Sequence, residues 1–103
     1  MTEDRFTLDI AGDHPAFAGH FPGQPILPGV VLLAEVLAGI ERSRGRTMAA
    51  VRIKVAKFHA PVGPGDHLLV ELAERNGVGF TVSRDGTAVA SGVFAEETED
   101  PGQ

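Results

Sequence analysis

Side chains able to move protons lie close together in the first third of the chain. Histidines stand at His14 and His20, and Glu35 is the only ionisable residue within the apolar stretch from Val30 to Ile40. Histidine is suited to proton transfer because its unperturbed pKa lies near neutral pH, and a carboxyl group can act as its complement. These residue types favour general acid–base chemistry.

The chain lacks the residues for several other kinds of site. It contains no cysteine, which excludes disulfides, cysteine-ligated zinc and thiol nucleophiles. No spacing of His, Asp or Glu resembles a metal site, and no phosphate-binding loop of the Walker type is present. We therefore expect no cofactor and no bound metal.

Length and charge restrict the class of protein further. The 103 residues suffice for one domain with a small core, so oligomerisation is an expected source of additional burial. The formal net charge of −5 argues against nucleic acid as a partner. No targeting segment and no membrane-spanning apolar run is visible, and we expect a cytoplasmic protein without a membrane partner.

A strand, a long loop and a helix are the first elements that must position the candidate residues. Residues 6–10 alternate apolar and polar, as a short strand does. The segment from Ala11 to Pro28 is rich in Gly, Pro and His, and loops of this length are usually functional. Residues 30–40 are apolar nearly all round and predict a helix enclosed by other structure, with Pro28 in its first turn and Gly45 as its cap.

The rest of the chain predicts four strands joined by short turns. Val51, Ile53 and Val55 alternate with polar or small residues and indicate a one-sided strand. Further strands are expected at 68–73, 80–83 and 88–94, with hairpin signals at Asn76-Gly77 and Asp85-Gly86. The predicted fold class is α+β, an antiparallel sheet wrapped around one central apolar helix. We assign residues 1–95 to this domain and 96–103 to a flexible acidic tail.

The segment from His14 to Val30 resembles the active-site loop and helix start of the bacterial (3R)-hydroxyacyl-acyl carrier protein dehydratases. Their hallmark, Gly-His-Phe-Pro-Gly-x-Pro-x-x-Pro-Gly-Val, is matched at every fixed position from Gly19 to Val30. Lys57-Phe58, the turn at 61–66 and the strand segment at 89–92 are similar to later parts of that family. The resemblance covers about residues 14–95, and a motif this long is a specific signal. It implies a hot-dog fold and a homodimer or higher oligomer, with each active site assembled between two subunits.

The resemblance also implies a reaction and the residues that perform it. Such enzymes dehydrate 3-hydroxyacyl thioesters to trans-2-enoyl thioesters in fatty-acid or specialised lipid and polyene synthesis. Acyl carrier protein is the expected partner, with the acyl group on its phosphopantetheine arm. His20 is assigned the removal of the C2 proton, and the backbone N–H of Gly29 the stabilisation of charge on the thioester oxygen. Phe21, Leu27 and Val31 are expected to line the substrate tunnel.

One catalytic position of the family does not match. The family carries a Glu or Asp on the helix fourteen residues after the histidine, where this chain has Ala34, and the nearest acid is Glu35. One residue of helix turns a side chain by about 100°. Three explanations stay open: the helix starts later or bulges so that Glu35 reaches the site as a catalytic residue, the acid has been lost, or Ala34 replaces a catalytic Asp by engineering. Glu35 could instead be structural, on a stripe with Ala38, Gly39 and Arg42 that faces a gap in the sheet or the dimer seam.

Basic residues are concentrated in the middle of the chain. Six of the nine fall between positions 42 and 57: Arg42, Arg44, Arg46, Arg52, Lys54 and Lys57. They indicate either a solvated helix end followed by the outer face of a strand, or a docking patch for an acidic partner. Under the second interpretation, Arg42, Arg44 and Arg46 are candidates for docking acyl carrier protein.

Two other functions stay open at this point. A non-catalytic hot-dog subunit could bind acyl thioester or pair with an active dehydratase, and Ala34 is its main support. A thioesterase on the same fold is disfavoured by the Gly-His-Phe-Pro-Gly loop, although the fold alone does not decide. Of the remaining histidines, His14 is expected to support the loop, and His59 and His67 to face solvent.

Overall fold

The computed structural model describes residues 5–17, 26–48 and 50–96. Its elements follow one another as β1 (Arg5–Asp9), a single 3-10 turn (Pro15–Phe17), α1 (Gly29–Arg44), β2 (Val51–Phe58), β3 (His67–Glu74), β4 (Val78–Arg84) and β5 (Thr87–Glu96). The strands form one sheet in the order β1-β3-β4-β5-β2, and every neighbouring pair is antiparallel. The predicted α+β class, with one helix packed on an antiparallel sheet, is confirmed.

The three sharpest turns lie where the sequence predicts them. Asp85 and Gly86 both have positive φ, at 51° and 80°, as the two central residues of a type I′ hairpin do. β3 and β4 are joined by a three-residue loop between the paired Glu74 and Val78, in which Asn76 and Gly77 have positive φ, at 55° and 140°. Gly45 ends α1 in the left-handed conformation, and its N–H bonds back to the last turn of the helix.

The core lies between one side of α1 and the inner face of the sheet. Leu32, Leu33, Val36 and Ile40 of the helix are buried there, against apolar side chains from the central strands. The opposite side of the helix is open, since Val30 is 75% exposed and Ala34 is also exposed. Within a single chain, the sheet therefore covers one side of the helix.

Strand β2 departs from the predicted alternation. Ile53 pairs with Phe94 and Val55 with Val93, so that Lys54 is an extra residue in a β-bulge. A bulge moves the following side chains to the other face of the sheet, and neither Ile53 nor Val55 is buried. The prediction of a one-sided apolar strand is wrong at this point, because the alternation is broken in the middle of β2.

Two carboxylates, those of Asp66 and Glu96, connect separate segments of the chain through hydrogen bonds. Asp66 accepts hydrogen bonds from the Gly63 N–H at 2.8 Å and from Arg84 at 2.7 Å, which fixes the turn between β2 and β3. Glu96 is the last residue of β5 and receives two hydrogen bonds from Arg46, at 3.0 and 2.7 Å. The strand thus extends one residue beyond the domain boundary that we placed at 95, and positions 97–103 lie outside the described residues.

Candidate functional site

The start of α1 opens onto an apolar groove. Pro28 precedes the helix without a side-chain cap, and its carbonyl accepts hydrogen bonds from the N–H groups of Val31 and Leu32, both at 3.0 Å. The first N–H groups of a helix, here including that of Gly29, have no acceptor within the helix and carry its positive dipole end. The groove beside them has a volume of about 600 Å³. Its lining is largely apolar and includes Ile26, Leu27, Gly29, Val30, Phe58 and Val62. The predicted position of Gly29 at the helix N-terminus is confirmed.

The Phe58 ring lies directly over Gly29. A Cβ atom built on Gly29 would be 2.8 Å from Phe58 Cζ, which is closer than carbon atoms normally approach. Phe58 is nevertheless 51% exposed, so the ring forms one wall of the groove and is not part of the core. This side chain therefore occupies part of the space beside Gly29, where the thioester was expected to bind. Nothing in the alternation of β2 indicated that contact, since it joins positions 29 residues apart.

The three expected tunnel residues have different surroundings. Leu27 is 4% exposed, lines the groove, and is held by a hydrogen bond from its N–H to the Val62 carbonyl at 2.7 Å. Val31 is partly buried and packs against the core. Phe21 lies outside the described residues, as does His20, the expected catalytic base.

Glu35 contacts the loop of its own chain. His14 Nε2 lies 3.0 Å from Glu35 Oε2, and the Ala16 N–H donates to His14 Nδ1 at 3.0 Å. The His14 side chain is 20% exposed and that of Glu35 is 34% exposed, so the contact is partly shielded from water. His14 therefore supports the loop, as expected, and in addition connects it to the helix. No local sequence pattern indicates this partner of Glu35, because the two residues are 21 positions apart and the loop has no periodic pattern.

The helix contains no irregularity that would turn Glu35 to the face on which Ala34 lies. α1 is continuously α-helical from Gly29 to Arg44, without a bulge. Ala34 lies one turn beyond Val30 on the exposed side, whereas Glu35 is turned by about 100° towards the N-terminal segment. Gly39, one turn after Glu35, contacts Phe6 of β1. The stripe that was expected to face a sheet gap or a dimer seam thus faces β1 and the loop that follows it.

The three candidate docking arginines differ in their surroundings. Arg42 is exposed at the end of α1, and Arg44 is half-buried. Arg46 holds Glu96 with two hydrogen bonds, and this carboxylate raises the pKa of Arg46 above its usual value. Arg46 is exposed as well, but its charge is largely compensated within the chain by Glu96.

The other described histidines lie away from the helix start or at its edge. His67 is exposed, as expected, and bonds to Asp9 at 2.7 Å, an interaction that raises the pKa of His67. His59 is exposed too and lines the groove, with Nε2 3.4 Å from Ser91 Oγ.

Over the ranges 5–17, 26–48 and 50–96 there is no group of three or more His, Cys, Asp or Glu that could hold a metal ion. In the same ranges, no helix has the length and apolarity to cross a membrane.

A family model matches nearly the whole chain. The model is that of the ApeI-like family, described as ApeI dehydratase, and it matches residues 2–93.

Curated proteins with similar sequences carry one common name. A 3-hydroxyacyl-[acyl-carrier-protein] dehydratase FabZ from Geotalea uraniireducens is 37% identical, over 88% of this chain and 69% of its own length. A FabZ from Alkaliphilus metalliredigens is 40% identical over 69% of this chain and 55% of its own length. The chain thus spans between about half and somewhat over two thirds of the length of these relatives.

Solved structures show the same fold. The dehydratase heterocomplex ApeI:P from Xenorhabdus doucetiae contains a chain with a TM-score of 0.73 and 25% identity, covering 89% of this chain and 86% of its own. A protein from Erwinia carotovora subsp. atroseptica, described as uncharacterized, gives a TM-score of 0.64 and 26% identity. It covers 96% of this chain and 90% of its own. The expected hot-dog architecture is confirmed by the first of these similarities.

Proposed function

This chain belongs to the family of ApeI-like dehydratases, and we propose that it removes water from 3-hydroxyacyl thioesters to give trans-2-enoyl thioesters. The substrate is carried by acyl carrier protein, as the names of the curated relatives state for those proteins. The proposed setting is fatty-acid synthesis or the synthesis of a specialised lipid or polyene.

The start of α1 is the observation that carries this proposal. An uncapped helix N-terminus, with a glycine as its first residue, opens onto a largely apolar groove. Backbone N–H groups in this position stabilise negative charge on an oxygen, and the charge of an enolate develops on the thioester oxygen when C2 loses its proton. An apolar groove beside the same groups can accept the acyl chain.

Each step of the reaction has a proposed residue. His20, in the motif that matches the family, takes the proton from C2, and the Gly29 N–H binds the thioester oxygen. The electron pair from C2 forms the C2–C3 double bond while the C3–O bond breaks. Glu35 supplies the proton with which the hydroxyl leaves as water.

A second copy of the chain, or a related subunit, is proposed to cover the open side of the helix. The exposed large apolar residues Ile26, Val30, Ile53, Val55 and Phe58 belong to the helix start and to the edge strand β2. An apolar helix face of this kind is stable when other structure covers it. We expect Ile53→Lys to convert a dimer into a monomer by placing a charge in the covered surface, measured by light scattering after size exclusion. A dimer that persists in this variant would remove β2 from the proposed interface.

Carrier docking is proposed to depend on Arg42 more than on Arg46. Arg42 is exposed, whereas the guanidinium of Arg46 is already bonded to Glu96. We expect Arg42→Glu to weaken binding of acyl carrier protein at low salt by about tenfold, since rim charges act through screened attraction. The matched control is the same charge reversal at the paired position, Arg46→Glu, which should change the affinity less, and an equal loss in both variants would contradict this order.

The proposed reaction is tested by incubating the protein with a 3-hydroxyacyl thioester on its carrier and following the 2-enoyl product by mass spectrometry. We expect turnover by the unaltered chain and a loss of about 100-fold or more in His20→Ala, the usual size of a general base contribution. Turnover that survives in His20→Ala would contradict the assigned base.

Ala34→Asp in the same assay tests a second candidate function. Ala34 is exposed beside Val30, on the side of the helix where a partner subunit would lie. This observation favours a non-catalytic subunit that pairs with an active dehydratase. An unaltered chain without turnover, together with activity in Ala34→Asp, would mean that the site lacks only its acid, whereas no turnover in either form would favour the non-catalytic subunit.

A further inference from the structure

The His14 ring is held on three sides. Its Nδ1 accepts a hydrogen bond from the Ala16 N–H at 3.0 Å, and its Nε2 lies 3.0 Å from Glu35 Oε2. The Phe17 ring packs against it edge to face, with the ring centroids 6.1 Å apart. The His14 carbonyl also accepts from the Phe17 N–H at 3.0 Å, which closes the 3-10 turn. Backbone and side chain of His14 are therefore both fixed.

These contacts determine which ring nitrogen carries the hydrogen. A backbone N–H can only donate, so Nδ1 must accept and can carry no hydrogen of its own. The neutral ring then has its hydrogen on Nε2, which donates to Glu35 Oε2. Because an imidazolium would carry hydrogens on both nitrogens, this hydrogen bond comes from a neutral ring, and it leaves Glu35 Oε1 to carry the proton that the proposed acid must supply.

The geometry points to His14 as a positioning residue for Glu35, and this inference rests on the proposed dehydratase function. The helix fixes the Glu35 backbone, and His14 fixes one of the two carboxylate oxygens. From the described residues, Oε1 receives no hydrogen bond, so it is the oxygen available to the leaving hydroxyl group. Restricting the carboxylate to one orientation lowers the entropic cost of reaching the reactive geometry.

The same contact places the acid on the loop side of its own chain. Glu35 is turned away from the exposed side of α1, where Val30 and Ala34 lie, and towards the segment that leads into the family motif. His20 follows His14 by six positions in that segment.

Two substitutions separate the two hydrogen bonds of His14. In His14→Asn the amide oxygen can still accept from the Ala16 N–H, but no donor reaches Glu35. In His14→Gln the amide nitrogen can still donate to Glu35, while the acceptor for Ala16 is lost. We expect His14→Asn to lower kcat by about tenfold or more with KM and Tm little changed, because a misplaced catalytic group costs rate. His14→Gln should retain most of kcat.

The opposite ranking would overturn the inference. If His14 were purely structural, both substitutions would lower Tm and raise KM, or His14→Asn would retain more activity than His14→Gln. The same measurement in the Glu35→Gln background gives a further check, since His14→Asn should then have no additional effect on kcat.

A spectroscopic readout separates this inference from the proposed function. Nitrogen-15 NMR of the unaltered protein should show His14 as the neutral Nε2–H tautomer, and Glu35→Ala should change its Nε2 shift. A neutral Nδ1–H tautomer in an active protein would overturn the positioning role alone. Absence of turnover in the unaltered chain would overturn the proposed function, and with it any role of His14 in catalysis.

Discussion

The contact between the Phe58 ring and Gly29 determines the shape of the groove at the helix start. The ring lies against the only type of residue that leaves room for it, yet half of its surface is exposed to solvent. A glycine at this position thus serves the packing of a neighbouring side chain, in addition to the approach of a substrate to the backbone that we propose. At the scale of single residues, the groove wall and the proposed oxyanion donor are coupled.

Gly29→Ala should test this coupling. The added methyl group would lie 2.8 Å from Phe58 Cζ, so the ring must move. Because the ring is exposed, we expect Tm to change little and kcat/KM for the acyl thioester to fall by about tenfold, a cost typical of a small displacement at a reacting centre. Gly29→Ala combined with Phe58→Ala restores the space and should recover part of the loss. Full activity in Gly29→Ala alone would show that the ring position is unimportant.

At the scale of elements, α1 approaches β1 closely because a glycine faces the sheet. A Cβ atom on Gly39 would lie 2.3 Å from Phe6 Cε2, and Gly39 itself is buried. Glycine lowers helix stability by about 1 kcal/mol relative to alanine, so the close packing against Phe6 must outweigh that cost. The same side of the helix carries Glu35, and the distance between α1 and β1 therefore affects the site.

We expect Gly39→Ala to destabilise the protein despite the better helix propensity of alanine. Overpacking in a filled interior costs about 1–3 kcal/mol, which exceeds the gain in propensity. Urea unfolding should show a lower midpoint for Gly39→Ala, and Phe6→Leu in the same chain should restore it in part. A raised midpoint in the single variant would mean that Phe6 moves aside without cost.

The elements also show where prediction from sequence succeeds and where it fails. The Asp85-Gly86 turn and the Gly45 cap depend on a few neighbouring residues, and both were predicted. The register of β2 depends on its pairing with β5, and the bulge at Lys54 has no local signal. The contacts of Gly29 with Phe58 and of His14 with Glu35 are equally non-local, and no local sequence pattern predicts them.

At the scale of the whole molecule, the question is whether the proposed catalytic groups come from one chain or from two. His14 holds Glu35 towards the N-terminal segment of its own chain. We propose two arrangements to be compared: the acid and the base belong to one chain, or the acid comes from the partner, as the family resemblance implies.

Mixed dimers of His20→Ala and Glu35→Gln should distinguish the two arrangements. If each site takes both residues from one chain, every site in a mixed dimer lacks one of them, and co-expression should restore no activity. If the acid comes from the partner, one site in each mixed dimer is complete, and activity should return to a substantial fraction of the unaltered level. Differently tagged chains, purified over both tags, provide the sample, and recovery of turnover would contradict the single-chain site.

The bulge in strand β2 also affects the tendency of the protein to aggregate through its sheet edge. An exposed sheet edge can add strands from other molecules without limit, which leads to fibrils. This edge carries Arg52, Lys54 and Lys57, and basic side chains and a bulge are both devices that discourage such addition. At the other edge, β1 has only five residues. The sheet can therefore bind one matched partner without adding further strands. The protein should then reach high concentration without aggregating by strand addition.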